Sequence, residues 1–336
     1  MTRRLRPALA LGLAFCLITA CGGDASLPSE VTGSVPEQSA PATTAAPQCS
    51  PSEGAKDATP SYAAMDPLPV PGDFDPASTM AAIVERGRLI VGVSGDTLLF
   101  GTRNPLNGRL EGFDIDMVKQ VAVALFGEGG DENIEYKVIT YAQRLPSLEA
   151  DDVDIVAHTM TINCNRWLRI AFSSEYFSAG QKLLVKTGSP ITGKDTLIGS
   201  GARVCAPEGS TNIDEISKPE YTGIEVVGTP DISDCLVAMQ QGEVDVVTGD
   251  DTVLAGFAAQ DPSTQVVGDA FTEEPYGLGI NRGEVDFVQF VNGVLAEIRT
   301  DGRWAEIYQR WLIDTGALAD TTIPDPPVAN ESRPLP

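Results

Sequence analysis

The chain has 336 residues, with 23 basic against 47 acidic side chains and a formal charge of −24. Nucleic acids and anionic membrane surfaces both require clustered positive charge, so neither is an expected partner. A hydrophobic content of 42% is ordinary for a globular protein, and the length leaves room for two domains.

The N-terminus reads "MTRRLRPALALGLAFCLITACGGDAS". Three arginines precede an apolar run of signal-peptide length, too short for a comfortable membrane span. Ile18-Thr19-Ala20-Cys21 has the order of a bacterial lipobox, which implies a signal peptide over 1–20, cleavage before Cys21 and lipid on that cysteine. The plainer alternative is a secretory signal with an accidental cysteine. Cleavage leaves 20 basic against 47 acidic residues, a charge of −27. No second apolar run reaches spanning length, so the expected location is the extracytoplasmic face of the cell membrane, anchored by lipid. Residues 21–75 are rich in Pro, Ser, Thr, Ala and Gly without sustained apolar periodicity and read as a disordered tether. Residues 319–336 read as a disordered tail.

Four further cysteines remain: Cys49, Cys164, Cys205 and Cys235. An even count in an oxidising compartment suggests two disulfides, with three pairings open. No C-x2-C spacing exists, so neither a metal nor a cofactor is expected.

Between tether and tail the pattern is α/β. "STMAAIVERGRLIVGV" predicts a helix, a turn at Gly87 and a buried strand. In "GFDIDMVKQVAVALFG", Ile115, Val118, Ala122 and Leu125 share one helical face. Asp114 and Asp116 open that helix, where acidic side chains are favoured. "VDIVA", "KLLVK", "RVCAP", "IEVVG" and "VDVVTG" are short β-branched runs separated by helical or turn segments. Such alternation predicts parallel sheets covered by helices. "EVDFVQFVNGVLAEIRTDGRWAEIYQRWL" predicts two helices broken at Asp301-Gly302, with Trp304, Ile307, Tyr308, Trp311 and Leu312 as core packing.

The order and spacing of "LIVGV", "GFDIDMVKQVAVAL", "RLPSLEADDVDIVAHTMTINCNR", "FSSEYFSAGQKLLV", "QQGEVDVVTGD", "YGLGINRG" and "DGRWAEIYQRWL" resemble family 3 extracellular solute-binding proteins, the amino-acid receptors of ABC importers. "GTRNP" before "GFDID" looks most like the glutamate/glutamine-binding lipoproteins of actinobacteria. The resemblance covers about 80–315. It implies a periplasmic-binding-protein-like α/β fold of two lobes, with two parallel-rich sheets joined by a two-strand hinge. Lobe 1 is expected at 76–184 and 273–318, lobe 2 at 185–272, and the crossovers at "QKLLVKTG" and "FTEEPYGLGI".

The same resemblance assigns the site. Arg166 clamps the ligand α-carboxylate, a role that suits a planar guanidinium. Thr161 and the backbone of Thr159 hold the carboxylate and ammonium, and Asp250 pairs with the ammonium; the alternative for Asp250 is a helix N-cap. Ser210 and Thr211 in "PEGST" lie where a strand passes into a helix, suited to an anion. Tyr141, with Phe100 as a second candidate, forms an aromatic wall. Ser94, Pro207 and Gly249 replace the residues that read a side-chain amide in glutamine receptors. Arg103 is therefore the candidate for a side-chain carboxylate, its alternative being a solvated loop residue.

His158, the sole histidine, has no second histidine for zinc and no nucleophile motif; it reads as packing near the cleft. Cys205 precedes the "EGST" turn and Cys235 lies on a helix of the same lobe, so they are the expected pair, leaving Cys49 for Cys164. Closing the Cys205–Cys235 loop contributes roughly 3–4 kcal/mol in the chain-entropy model. The expected protein is a monomeric receptor for a polar, acidic amino acid, passing it to an importer permease. A sensor signalling through a membrane protein is the alternative, and a cyclohexadienyl-dehydratase-like enzyme ranks below it.

Overall fold

The computed structural model describes residues 56–318 and 320–336. The signal, Cys21, Cys49 and the first part of the tether lie outside the described residues.

Two five-stranded sheets carry the fold, and they share one plan. The first runs Ile134–Val138, Leu89–Val93, Ile155–Ala157, Gly279–Asn281, Ile170–Phe172; the second runs Glu225–Thr229, Arg203–Pro207, Val246–Asp250, Gln181–Lys186, Thr264–Val267. In each, three strands are parallel and the fourth runs antiparallel to both neighbours. The parallel strands read as continuous apolar runs because helices cover both faces. In Leu89–Val93, four of five residues are buried.

Phe177–Ala179 and Glu274–Tyr276 pair antiparallel and form the hinge. Each continues into the antiparallel fourth strand of the lobe it enters. "QKLLVK", expected as a crossover, is therefore lobe 2's own strand, and the crossing lies at Phe177–Ala179, before residue 184. The second crossing falls inside "FTEEPYGLGI" as expected. A hydrophobic run cannot by itself distinguish the strand that spans two lobes from the one that follows it.

The helix Phe113–Phe126 starts against the Phe100 carbonyl. A Cβ on Gly112 (φ 136°) would lie 2.1 Å from that oxygen, so only glycine fits the entry. Asp116, buried in the first turn of this helix, accepts from Trp311 Nε1 (2.8 Å) while ion-paired to Arg310 (2.7 Å) and Lys119 (2.8 Å), which fastens the C-terminal helical segment. Val285–Thr300 and Arg303–Tyr308 are the two expected helices, broken at Asp301-Gly302. Trp304, Ile307, Tyr308 and Leu312 are buried, whereas Trp311 is half-buried through its bond to Asp116.

The tether and tail differ most from expectation. From Ala58 onward the chain packs on lobe 1: Ala58, Ser61 and Tyr62 are buried. Trp167 Nε1 donates to the Ala58 carbonyl (2.8 Å), and Asn292 donates to Ser61 Oγ and the Tyr62 carbonyl. The tail closes over this segment. Ser61 N donates to Asn330 O (2.7 Å), Arg333 N to Ser61 O (3.0 Å), and the Arg333 guanidinium lies 3.6 Å from the Trp167 ring centroid. Composition marked both segments as unstructured; a few backbone bonds and one tryptophan hold residues 58–65 and 330–333 of them in place.

Cys205 and Cys235 are bonded, 30 residues apart. Cys164 is also disulfide-bonded; the expected partner, Cys49, lies outside the described residues. Replacing Cys205 and Cys235 by serine should cost about 3 kcal/mol of unfolding free energy, read from urea midpoints at constant slope. A loss below 1 kcal/mol would show that the bridge constrains little of the unfolded chain.

Candidate functional site

The lobes are closed on each other. Gly209, in the turn after Arg203–Pro207, presents its carbonyl across the cleft to two lobe 1 guanidiniums: Arg144 Nη2 at 3.0 Å and Arg166 Nη2 at 3.3 Å. A Cβ on Gly209 (φ 77°) would come within 2.8 Å of Ala142 Cα, so this approach requires glycine. Asp96 Oδ2 makes a second tie, accepting from Ser233 N in lobe 2 at 3.1 Å.

Arg166 sits on the short helix Cys164–Trp167, capped by Asn163, whose side chain accepts from Arg166 N at 2.9 Å. Its Nη1 donates to the Thr161 carbonyl at 2.7 Å. Asp250 ends the strand Val246–Asp250 and is the N-cap residue of Asp251–Gln260, but its side chain makes no cap bond. Asp251 Oδ1 instead accepts from Thr252 N. The Asp250 carboxylate turns into the cleft, accepting from Asn212 Nδ2 (2.8 Å) and the Tyr276 hydroxyl. Burial, and next the Glu274 carboxylate, raise its pKa to about 7. Arg166 and Asp250 thus face the cleft from opposite lobes, each bonded to neutral groups.

Thr161 and Thr211 meet between the lobes, their oxygens 3.2 Å apart. Ser210 caps the helix Thr211–Ile216, accepting from Ile213 N and donating to Pro207 O, so its hydroxyl serves the turn. Thr159 takes a positive φ of 42°, held by its N–H donating to buried Asp114 at 2.7 Å. Of the Thr159 backbone, expected to hold ligand, the N–H is thus used inside the protein. Tyr141 is buried with its ring 4.6 Å from the Arg144 guanidinium carbon, and so forms a wall behind that arginine. Phe100 belongs to the hinge's aromatic core, against Phe113, Phe177 and Tyr276.

Arg103 is the correction. It lies on the exposed hairpin strand Gly101–Arg103 and donates to the Gly108 carbonyl at 2.8 Å, outside the cleft. The second cation in the cleft is Arg144, 1% exposed, donating also to the carbonyls of Tyr141 and His158. Burial first, then Arg166, lower its pKa to about 9. His158 is sealed beneath Tyr141, with Nε2 3.1 Å from the Ile139 carbonyl; burial lowers its pKa to about 3, so it stays neutral.

Sequence reasoning missed Arg144, Glu274 and Asp114. Asp114 had the ordinary reading of a helix-start carboxylate, but it is 1% exposed, raised to about 6 by burial, and bonded by Tyr176 and Thr159. Glu274 is 2% exposed on the hinge. A usable signal was present: an acid and an arginine sitting in otherwise apolar elements, where unpaired charge is costly. Among the described residues no cluster of His, Cys, Asp or Glu could hold a metal, and no helix is long and apolar enough to cross a membrane. A cavity of about 800 Å³ is lined by Phe177, Ser178, Asp251, Thr252, Trp304 and Tyr308, and by none of Arg144, Arg166, Asp250 or Glu274.

Comparison with known proteins agrees with this architecture. The ABC transporter glutamine-binding protein GlnH of Bacillus subtilis is 37% identical over 70% of this chain and 84% of its own length. The glutamine-binding protein of Geobacillus stearothermophilus is 40% identical over 60% of this chain and 76% of its length. An ancestral arginine-binding protein solved with glutamine bound superposes with a TM-score of 0.62 at 31% identity, covering 68% of this chain and 98% of that one. Residues 89–314 match the family model for bacterial extracellular solute-binding proteins, family 3, and the chain belongs to that family.

Proposed function

We propose that the protein is a lipid-anchored receptor that closes on a polar amino acid and delivers it to the permease of an ABC importer. The observation that carries this reading is the pair Arg166 and Asp250, buried on opposite lobes and bonded to neutral groups. A carboxylate on Arg166 and an ammonium on Asp250 match the two ends of an α-amino acid. Bridging the lobes in this way favours the closed state over the open one.

Charge balance bears on the side chain. Arg144 and Arg166 stand against Asp250 and Glu274 in the buried cleft. A zwitterion with a neutral side chain keeps this balance, and uncompensated buried charge is costly. Glutamine therefore fits first, in line with the two relatives above. Glutamate is the second reading, supported by Arg144, whose Gly209 contact a side-chain carboxylate could replace.

Calorimetric titration with the twenty amino acids tests this. Glutamine should bind most tightly at pH 8, and glutamate should gain on it as the pH falls to 6, with up to one extra proton retained in the complex. Arg144→Ala should weaken glutamate more than glutamine. A preference for an apolar or basic amino acid would overturn the reading.

A further inference from the structure

Thr161 and Thr211 meet between the lobes, yet both of their protons are already committed. Thr161 Oγ1 donates to Glu274 Oε2 at 2.6 Å, Thr211 Oγ1 donates to the same oxygen at 2.7 Å, and Thr272 Oγ1 donates to Oε1 at 2.6 Å. The threonines come from opposite lobes and the glutamate from the hinge strand between them. A hydroxyl has one proton and two lone pairs. With that proton on Glu274, each oxygen can only accept from a third group. Acceptor oxygens between the lobes, next in sequence to the Asn212 that donates to Asp250, suit an ammonium, which has three N–H donors, and do not suit a carboxylate.

We propose that Glu274 is a positioning residue for the ligand ammonium: it fixes the Thr161 and Thr211 hydroxyls as acceptors and places a second negative charge near Asp250. This rests on the cleft being an amino-acid site. It also changes the part played by the threonines, leaving the ligand carboxylate to Arg166 and to backbone N–H groups. Without Glu274 the hydroxyl protons are free to turn toward an anion.

The proposal has a pH signature. Asp250 is faced by Glu274 and Asp251 as anions, by Arg144 and Arg166 as cations, and by Tyr276 and Asn212 as donors. An ammonium pairs with ionised Asp250, whose pKa is raised to about 7. Affinity should therefore fall about tenfold from pH 8 to pH 6, as Asp250 takes up the proton that binding must release. Loss of the Glu274 charge removes one cause of that raised value and flattens the profile.

The experiment compares wild type with Glu274→Ala and Glu274→Gln in the full chain, titrating glutamine and, by competition, its des-amino analogue glutaramate, at pH 6, 7 and 8. For Glu274→Ala, the expected result is at least a tenfold loss for glutamine at pH 8 and less than a threefold loss for glutaramate. The pH 8-to-6 change should shrink below threefold. If that variant does not fold, the pH profile of the isosteric Glu274→Gln decides, with the same flattening expected. Equal losses for both ligands with the wild-type pH profile would overturn the proposal and leave Glu274 a hinge residue only. A wild type that binds no amino acid, or an Arg166→Ala variant that binds as wild type does, would instead overturn the reading of the cleft, and this proposal with it.

Discussion

Arg166→Ala and Asp250→Ala, made separately, should each weaken amino-acid binding by about 2–5 kcal/mol, the usual cost of truncating one member of a desolvated charge pair. That is about a 30-fold to several-thousand-fold rise in Kd. The size follows from burial: both side chains are 6% exposed, so a ligand charge left without its partner has little water to turn to. The two losses should not add in the double variant, because a ligand held at one end already fails to bridge the lobes. Calorimetry checks this, with circular dichroism to confirm folding. Binding within threefold of wild type in either single variant would mean the ligand ends lie elsewhere.

Trp167→Ala should lower unfolding stability by about 3–5 kcal/mol, as for other buried aromatic truncations. Trp167 is 5% exposed and touches four residues from three parts of the chain. Its indole donates to Ala58 O, its ring meets Tyr62 edge-on at 6.0 Å and Phe172 at 5.5 Å, and Arg333 covers it. Arg333→Ala removes the cation over the ring and the Nε bond to the Pro60 carbonyl (2.9 Å), and should cost about 1–2 kcal/mol. Urea titrations followed by far-UV circular dichroism give both numbers. A Trp167→Ala loss below 1 kcal/mol would mean that the terminal segments do not depend on this residue.

Much of this molecule was legible in the sequence, for a physical reason. Apolar runs bounded by glycine turns specify strands, and the seven ordered segments specified the family and its two lobes. Arg166 and Asp250 were named through the resemblance, from the spacing of Thr161 to Arg166 and from the strand that Asp250 ends. Arg103 misled because a loop arginine carries no sign of which way it points. The hairpin that turns it outward depends on Gly108 and on pairing among Asp96–Thr97, Gly101–Arg103 and Leu110–Glu111, each too short to show periodicity. The packing of residues 58–65 and 330–333 was hidden for a similar reason. They are held by scattered bonds to distant partners, which no local pattern encodes.

Those two segments also decide where an observer could attach a label. The segment from Ala58 and the tail near Arg333 lie together on lobe 1, while among the described residues the chain passes between the sheets through Phe177–Ala179 and Glu274–Tyr276. Lobe 2 is thus an insert between two parts of lobe 1. Dyes placed on the Ala58 and Arg333 segments would ride on the same lobe, and energy transfer between such a pair would not follow closure. A reporter of ligand capture needs one dye inside the insert, for instance at exposed Val237 on the helix Ile232–Gln241, with the other on lobe 1.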